Sequence, residues 1–138
     1  MDSFHYISST VLDLHIIHDI IKSNKKLELS EEARVNIKKS KKYLNEKIRD
    51  NDQPVYGINT GFGSLCNVKI SSENLTHLQE NLVMSHACGT GDLVKKPIIK
   101  LMLLLKIQSL SYGNSGVALE TVLRLIELYN NDILPVIY

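Results

Sequence analysis

Val55-Tyr56-Gly57-Ile58-Asn59-Thr60-Gly61-Phe62-Gly63 places three glycines, two aromatic rings, an amide and a hydroxyl in nine consecutive residues. Glycine admits positive φ and close backbone approach, so this stretch is built to bend sharply and hold its side chains out. It follows the turn signal Asn51-Asp52-Gln53-Pro54 and therefore lies between elements, where scaffolds carry function. Its bland reading is a tight connection in which Tyr56 and Phe62 are packing residues. A phosphate loop is excluded by pattern: the spacing is G-x-x-x-G-x-G, with no lysine after the last glycine. On both sides of this loop the periodicity is helical, which makes the fold class mainly α with little or no β.

Upstream, Thr10 is a candidate N-cap with Asp13 three residues on. Val11, Leu12, Leu14, Ile17, Ile20 and Ile21 follow at mostly helical spacing, until Ser23-Asn24. Ser30, with Glu31 and Glu32 in the first turn, opens a second helix running to about Arg49. Ala33, Ile37, Leu44 and Ile48 form its apolar stripe.

Downstream, residues 65–70 are a short stretch that is extended or irregular. Ser71 or Ser72 then caps a helix over 73–88, stopped by Gly89 as a left-handed C′ residue. Leu75, Gln79, Leu82 and His86 share one face of it. Pro97 suits the first turn of the next helix, which is apolar nearly all round from Ile98 to Leu110, with Lys100 and Lys106 interrupting and Gly113 closing it. A last helix from about Ser115 turns Ala118, Leu119, Val122, Leu125, Ile126 and Tyr129 inward. Residues 97–131 thus read as a buried helical pair, followed by the apolar tail 133–138.

The 138 residues suffice for a single core. An apolar content of 43% and a net charge of +1 fit a globular chain without a global field for nucleic acid or a membrane surface. Lys22 to Asp50 is locally basic, ten Lys and Arg against five Asp and Glu. Spread along a helix without an aromatic platform, those charges read as a solvated face, and no nucleic-acid partner is expected. No run of about 18 apolar residues suggests a membrane span, and no basic stretch followed by a long apolar run suggests a secretory leader. Cys66 and Cys88 form neither CxxC nor a ligand cluster. They read as reduced thiols of a cytoplasmic protein, and no metal site is expected. His86 taken alone is a histidine at a helix C-terminus, favoured there by the dipole.

Three segments together resemble the N-terminal quarter of the aromatic amino-acid ammonia-lyases. They are Tyr56 to Gly63; Leu78-Gln79-Glu80-Asn81-Leu82-Val83-Met84-Ser85-His86-Ala87-Cys88-Gly89-Thr90-Gly91; and Leu105-Lys106-Ile107-Gln108-Ser109-Leu110-Ser111-Tyr112-Gly113-Asn114-Ser115-Gly116-Val117. The pair Ser85-His86 resembles the histidine-specific members. The resemblance implies that residues 1–138 are one N-terminal segment of a larger lyase, with loop 55–63 and helix 73–88 forming the site. It implies elimination of ammonia from L-histidine to give trans-urocanate. It assigns Tyr56 as the base, and His86, Asn59 and Gly61 to substrate binding. A free phenol titrates near 10, so a tyrosine base needs surroundings that favour its anion.

The resemblance further implies the 4-methylidene-imidazol-5-one (MIO) electrophile, made from an Ala-Ser-Gly triplet expected shortly after Pro135-Val136-Ile137, and a homotetramer whose sites are shared between subunits. The 138-residue chain alone is accordingly expected to be inactive. Tyr112 and Ala118 stand where relatives often carry a basic residue, which bears on local packing or subunit contacts. Two further readings stay open: a naturally truncated, non-catalytic helical protein that associates with itself or with a full-length relative, and a segment of a phenylalanine or tyrosine ammonia-lyase or an aminomutase.

Overall fold

A computed structural model describes residues 3–50, 54–61, 63, 68, 70–71 and 74–138. The expectations for Phe62, Cys66, Ser72, Glu73 and most of 65–70 lie outside the described residues. The chain is mainly helical, with five helices and one two-stranded sheet among the described residues: β1 (Phe4–Ile7), α1 (Leu14–Lys22), β2 (Lys26–Leu29), α2 (Glu31–Asp50), α3 (Leu75–His86), α4 (Lys96–Ser111) and α5 (Leu119–Asn130). It divides into two compact units, residues 1–45 with 92–138, and residues 46–91.

In the first unit β1 and β2 pair in parallel, Phe4 opposite Lys26 and Ile7 opposite Leu29, with α1 as the crossover. The sequence of β2, Lys-Leu-Glu-Leu, alternates with period two. Leu27 and Leu29 are buried and Glu28 is exposed. The free side of β2 is met by a side chain from the far end of the unit. Asn130 accepts from the Leu27 N–H through Oδ1 at 2.7 Å and donates from Nδ2 to the Leu27 carbonyl at 2.9 Å. Its amide thus stands in for one residue of a neighbouring strand and satisfies backbone groups that burial would otherwise strand.

Ile7, Ile20, Leu27, Leu29, Ala33, Ile37, Leu104, Ile107, Leu110, Val122, Ile126 and Tyr129 form one apolar cluster. α4 packs on α5 and β1, and α5 on β2. α4 buries Ile99, Leu104, Ile107 and Leu110, while Ile98, Met102 and Leu105 are exposed in this chain. Gln108 is buried, and its Nε2 donates to the carbonyls of Ser8 and Thr10 at 2.9 and 3.0 Å, tying the β1–α1 connection to α4. Lys100 donates to Asn24 Oδ1 at 2.8 Å and Asp132 Oδ1 at 3.0 Å, with its ammonium 5.0 Å from the centre of the Tyr129 ring. One cation therefore joins the ends of α1 and α5.

Local signals set most helix ends. Ser30 caps α2, accepting from the Ala33 N–H at 3.2 Å. Pro97 lies in the first turn of α4, and Gly113 closes it at φ 72°. A Cβ at Gly113 would sit 2.8 Å from the Asn36 backbone, so that turn excludes any side chain. Four expected ends differ. The last helix, expected from about Ser115, begins at Leu119, because Gly116 is left-handed at φ 66°. α3 has Asn74 rather than Ser71 as its N-cap. α1 begins at Leu14, not after Thr10: the Asp13 carboxylate accepts from the Ile16 N–H at 2.8 Å, and the Thr10 carbonyl is engaged by Gln108. Val11 and Leu14, expected on the apolar face, are exposed. α3 ends at His86 rather than against Gly89. There the Cys88 N–H meets the His86 carbonyl at 3.0 Å across Ala87 (φ −82°, ψ 63°), an inverse γ-turn, and the positive-φ glycine is Gly91. Among the described residues no helix is long and apolar enough to cross a membrane.

Candidate functional site

The residues singled out for chemistry all belong to the unit 46–91: Tyr56, Asn59 and Gly61 on the glycine loop, and His86 at the end of α3. The loop holds itself by its own polar groups. The Val55 carbonyl accepts from the N–H groups of Ile58 and Asn59 at 3.0 and 3.2 Å, closing a turn over Tyr56 and Gly57. Gly57, third in that turn, has φ 71°, a conformation glycine adopts without strain. Tyr56 is second in the turn, at its corner, and is 62% exposed.

Asn59 is buried. Its Oδ1 accepts from the Val55 N–H at 2.6 Å, and its carbonyl from the Ile70 N–H at 2.8 Å. Thr60 is fully buried; its hydroxyl donates to the Gly61 carbonyl at 3.0 Å and accepts from the Gly57 N–H at 3.3 Å. Gly61 is buried with it. The loop is thus a scaffold of buried Asn59 and Thr60 beneath an outward Tyr56. Thr60 was not among the expected site residues. Its signal is the Asn-Thr-Gly run, since short hydroxyl and amide side chains bond neighbouring backbone and so organise turns.

On α3, His86 is exposed and its ring is tied down on one side. Nδ1 lies 2.8 Å from the Leu82 carbonyl and 3.0 Å from Ser85 Oγ, while Ser85 Oγ donates to the same carbonyl at 3.1 Å. Leu78 and Leu82 are half-buried, whereas Val83 and Met84 are 70% and 67% exposed. Cys88, just beyond the helix, is a free and exposed thiol. Among the described residues no group of three or more His, Cys, Asp or Glu is placed to hold a metal ion.

The family model for aromatic amino acid lyases matches residues 12–138, nearly the whole chain. The chain belongs to the aromatic amino acid lyase family. Among similar family members, the histidine ammonia-lyase of Idiomarina loihiensis is 47% identical over 126 residues, which are 91% of this chain and 24% of that protein. That of Legionella pneumophila (strain Corby) is 54% identical over 92 residues, 67% of this chain and 18% of the relative. That of Deinococcus radiodurans is 42% identical over 126 residues, 91% and 24% of the two chains. This lyase-family chain therefore spans about a quarter or less of the length of the curated relatives it matches.

Solved structures share the fold. Histidine ammonia-lyase from Trypanosoma cruzi superposes with a TM-score of 0.78 at 30% identity, covering 92% of this chain and 25% of that one. Ergothionase from Treponema denticola superposes with a TM-score of 0.89 at 22% identity, covering 97% and 27%. The second likeness is one of fold.

Proposed function

We propose that the protein of which this chain is the N-terminal part eliminates ammonia from L-histidine, giving trans-urocanate. One observation carries the reading: a turn that thrusts Tyr56 outward stands in the same compact unit as a helix ending in Ser85-His86, within a chain 42–54% identical to proteins named histidine ammonia-lyase. In this reading Tyr56 removes the β-proton of the substrate, and the turn through Gly57 holds the phenol at the loop corner. Buried Asn59 and Thr60 keep the loop shape, and Asn59 and Gly61 are the loop's substrate contacts in this reading. His86 meets the substrate's imidazole.

The electrophile used by such lyases, the methylidene-imidazolone group formed from Ala-Ser-Gly, assists departure of the amine when present. Residues 1–138 contain no Ala-Ser-Gly, so this segment does not supply the group and its own residues account only for proton removal and substrate contact. The exposed Val83 and Met84 on α3 support burial of that helix against other parts of a homo-oligomer, a tetramer in this reading.

The test is turnover by the parent protein, followed through the ultraviolet absorbance of urocanate. L-Histidine is the expected substrate. Tyr56→Phe lowers kcat by several orders of magnitude with KM little changed, and His86→Leu raises KM. The 138-residue chain alone gives no product. Preference of the parent for L-phenylalanine or L-tyrosine overturns the assignment of substrate, and turnover by the isolated chain overturns the division of labour between segments.

A further inference from the structure

We propose that Ser85 is a positioning residue that fixes His86 in one tautomer, so that the ring offers Nε2 as a hydrogen-bond acceptor to an N–H group of the bound molecule. A carbonyl oxygen only accepts, so the Leu82 carbonyl, 2.8 Å from Nδ1, requires a proton on Nδ1. A hydroxyl has a single hydrogen, and Ser85 Oγ lies 3.1 Å from the same carbonyl, within donating distance. With its hydrogen on that carbonyl, Ser85 Oγ turns lone pairs toward Nδ1 at 3.0 Å. In that arrangement the Nδ1–H form satisfies both neighbours.

The opposite tautomer would set the Nδ1 lone pair against the carbonyl oxygen at hydrogen-bond distance. In the neutral ring the proton on Nδ1 leaves Nε2 with a lone pair, and among the described residues Nε2 has no partner. The backbone carbonyl comes from α3 itself, one turn before His86, so the helix supplies half of the brace whatever the sequence. The serine supplies the other half, and of the two only the serine is a choice of side chain.

The consequence concerns ligand class. An acceptor at Nε2 recognises a ring N–H or an ammonium, and discriminates against rings whose nitrogens are alkylated or absent. A site built to bond an N–H rejects analogues lacking it, because its own polar group is left unpaired. This deepens the reading of His86 as the imidazole contact and rests on it for the identity of the ligand; the tautomer itself is measurable without turnover.

The experiment uses the 15N-labelled parent protein at alkaline pH, where imidazoles are neutral, with ring nitrogens read by 15N magic-angle-spinning NMR and assigned with His86→Gln. The expected result is a pyrrole-type Nδ1 and a pyridine-type Nε2. Ser85→Ala lowers the ratio of the Nδ1–H to the Nε2–H form about fivefold, the worth of one ordinary hydrogen bond, and Ser85→Thr restores it. The backbone 1H–15N fingerprint verifies that each variant is folded. Imidazole, which carries an N–H, perturbs the Nε2 signal, and 1-methylimidazole, which has none, leaves it in place.

A predominant Nε2–H form in the unsubstituted chain, or an unchanged ratio in a folded Ser85→Ala, overturns the positioning role. Equal perturbation by both probes, or none by imidazole, overturns the acceptor role. Because no arm uses the lyase reaction, failure here and failure of the histidine reading show up in different assays.

Discussion

Replacing Tyr129 by phenylalanine is expected to stabilise this protein, against the usual direction of core substitutions. The Tyr129 side chain is 1% exposed and its ring packs in the main apolar cluster, but its hydroxyl has no hydrogen-bond partner among the described residues. A buried, unpaired hydroxyl costs about 1–3 kcal/mol, and Tyr129→Phe removes it while keeping the ring. The gain expected at pH 7 is about 1–2 kcal/mol, less than the full cost because the lost oxygen leaves some packing unfilled. At roughly 2–6 °C per kcal/mol for a chain of this size, the midpoint rises visibly.

The same hydroxyl gives an alkaline signature. Burial, and secondarily Asp132, push its pKa up to about 12. A group whose folded pKa is raised contributes stability that is complete below its unfolded value near 10 and is lost as pH rises through the folded value. The difference is worth about 3 kcal/mol. Urea denaturation followed by circular dichroism from pH 7 to pH 12 checks both parts. The unsubstituted chain should lose this contribution above pH 10, and Tyr129→Phe should not show it. A loss of more than about 1 kcal/mol at pH 7 in the phenylalanine variant would mean that the hydroxyl is satisfied in the folded protein.

Gly113→Ala combines a left-handed backbone at φ 72° with a Cβ forced to 2.8 Å from Asn36, and should cost about 2–5 kcal/mol in a denaturation curve. Asn130→Ala strands both backbone groups of Leu27 at once, for a loss of about 2–4 kcal/mol. Hydrogen exchange should locate the damage at β2, with the Leu27 amide losing protection first. The His5 pKa is lowered, chiefly by burial and further by Lys25, with Asp19 opposing. Its neutral form therefore supports the fold above the ordinary histidine range, and that support is lost as pH falls through the folded value. Thermal scans between pH 7.5 and pH 5 should show a slope that His5→Asn flattens.

Much of the helical fold is visible in sequence because its signals are local. Ser30, Pro97 and Gly113 act within one turn of the helix they start or stop, and the stripes of α2 and α5 repeat at helical spacing. β1 and β2 are not visible in that way. Four residues each, they owe their existence to each other and to Asn130, about a hundred positions downstream, although the alternation of Lys26 to Leu29 is there to be read. Thr10 and Asp13 compete as caps for α1, and the contest is decided by Gln108 on another helix taking the Thr10 carbonyl. For the candidate site, the residue types on the loop and at the end of α3 are legible, but not their division into buried and exposed side chains. Nothing in the order Tyr-Gly-Ile-Asn-Thr-Gly says that Asn59 turns inward to Val55 while Tyr56 turns out. Nor does the letter pair Ser-His reveal that both side chains converge on one carbonyl.

The hydrogen bonds between Asn130 and Leu27 set an order on biosynthesis. As the chain leaves the ribosome, β1, α1 and β2 emerge first, yet the second edge of β2 stays unmet until the end of α5 has been made. The whole of residues 46–91, with the glycine loop and α3, is translated in that interval, between the two halves of the unit that flanks it in sequence. Closure of that flanking unit is a long-range event, with the slow kinetics such contacts bring. In sequence, residues 46–91 are therefore an insertion between the two halves of the other unit.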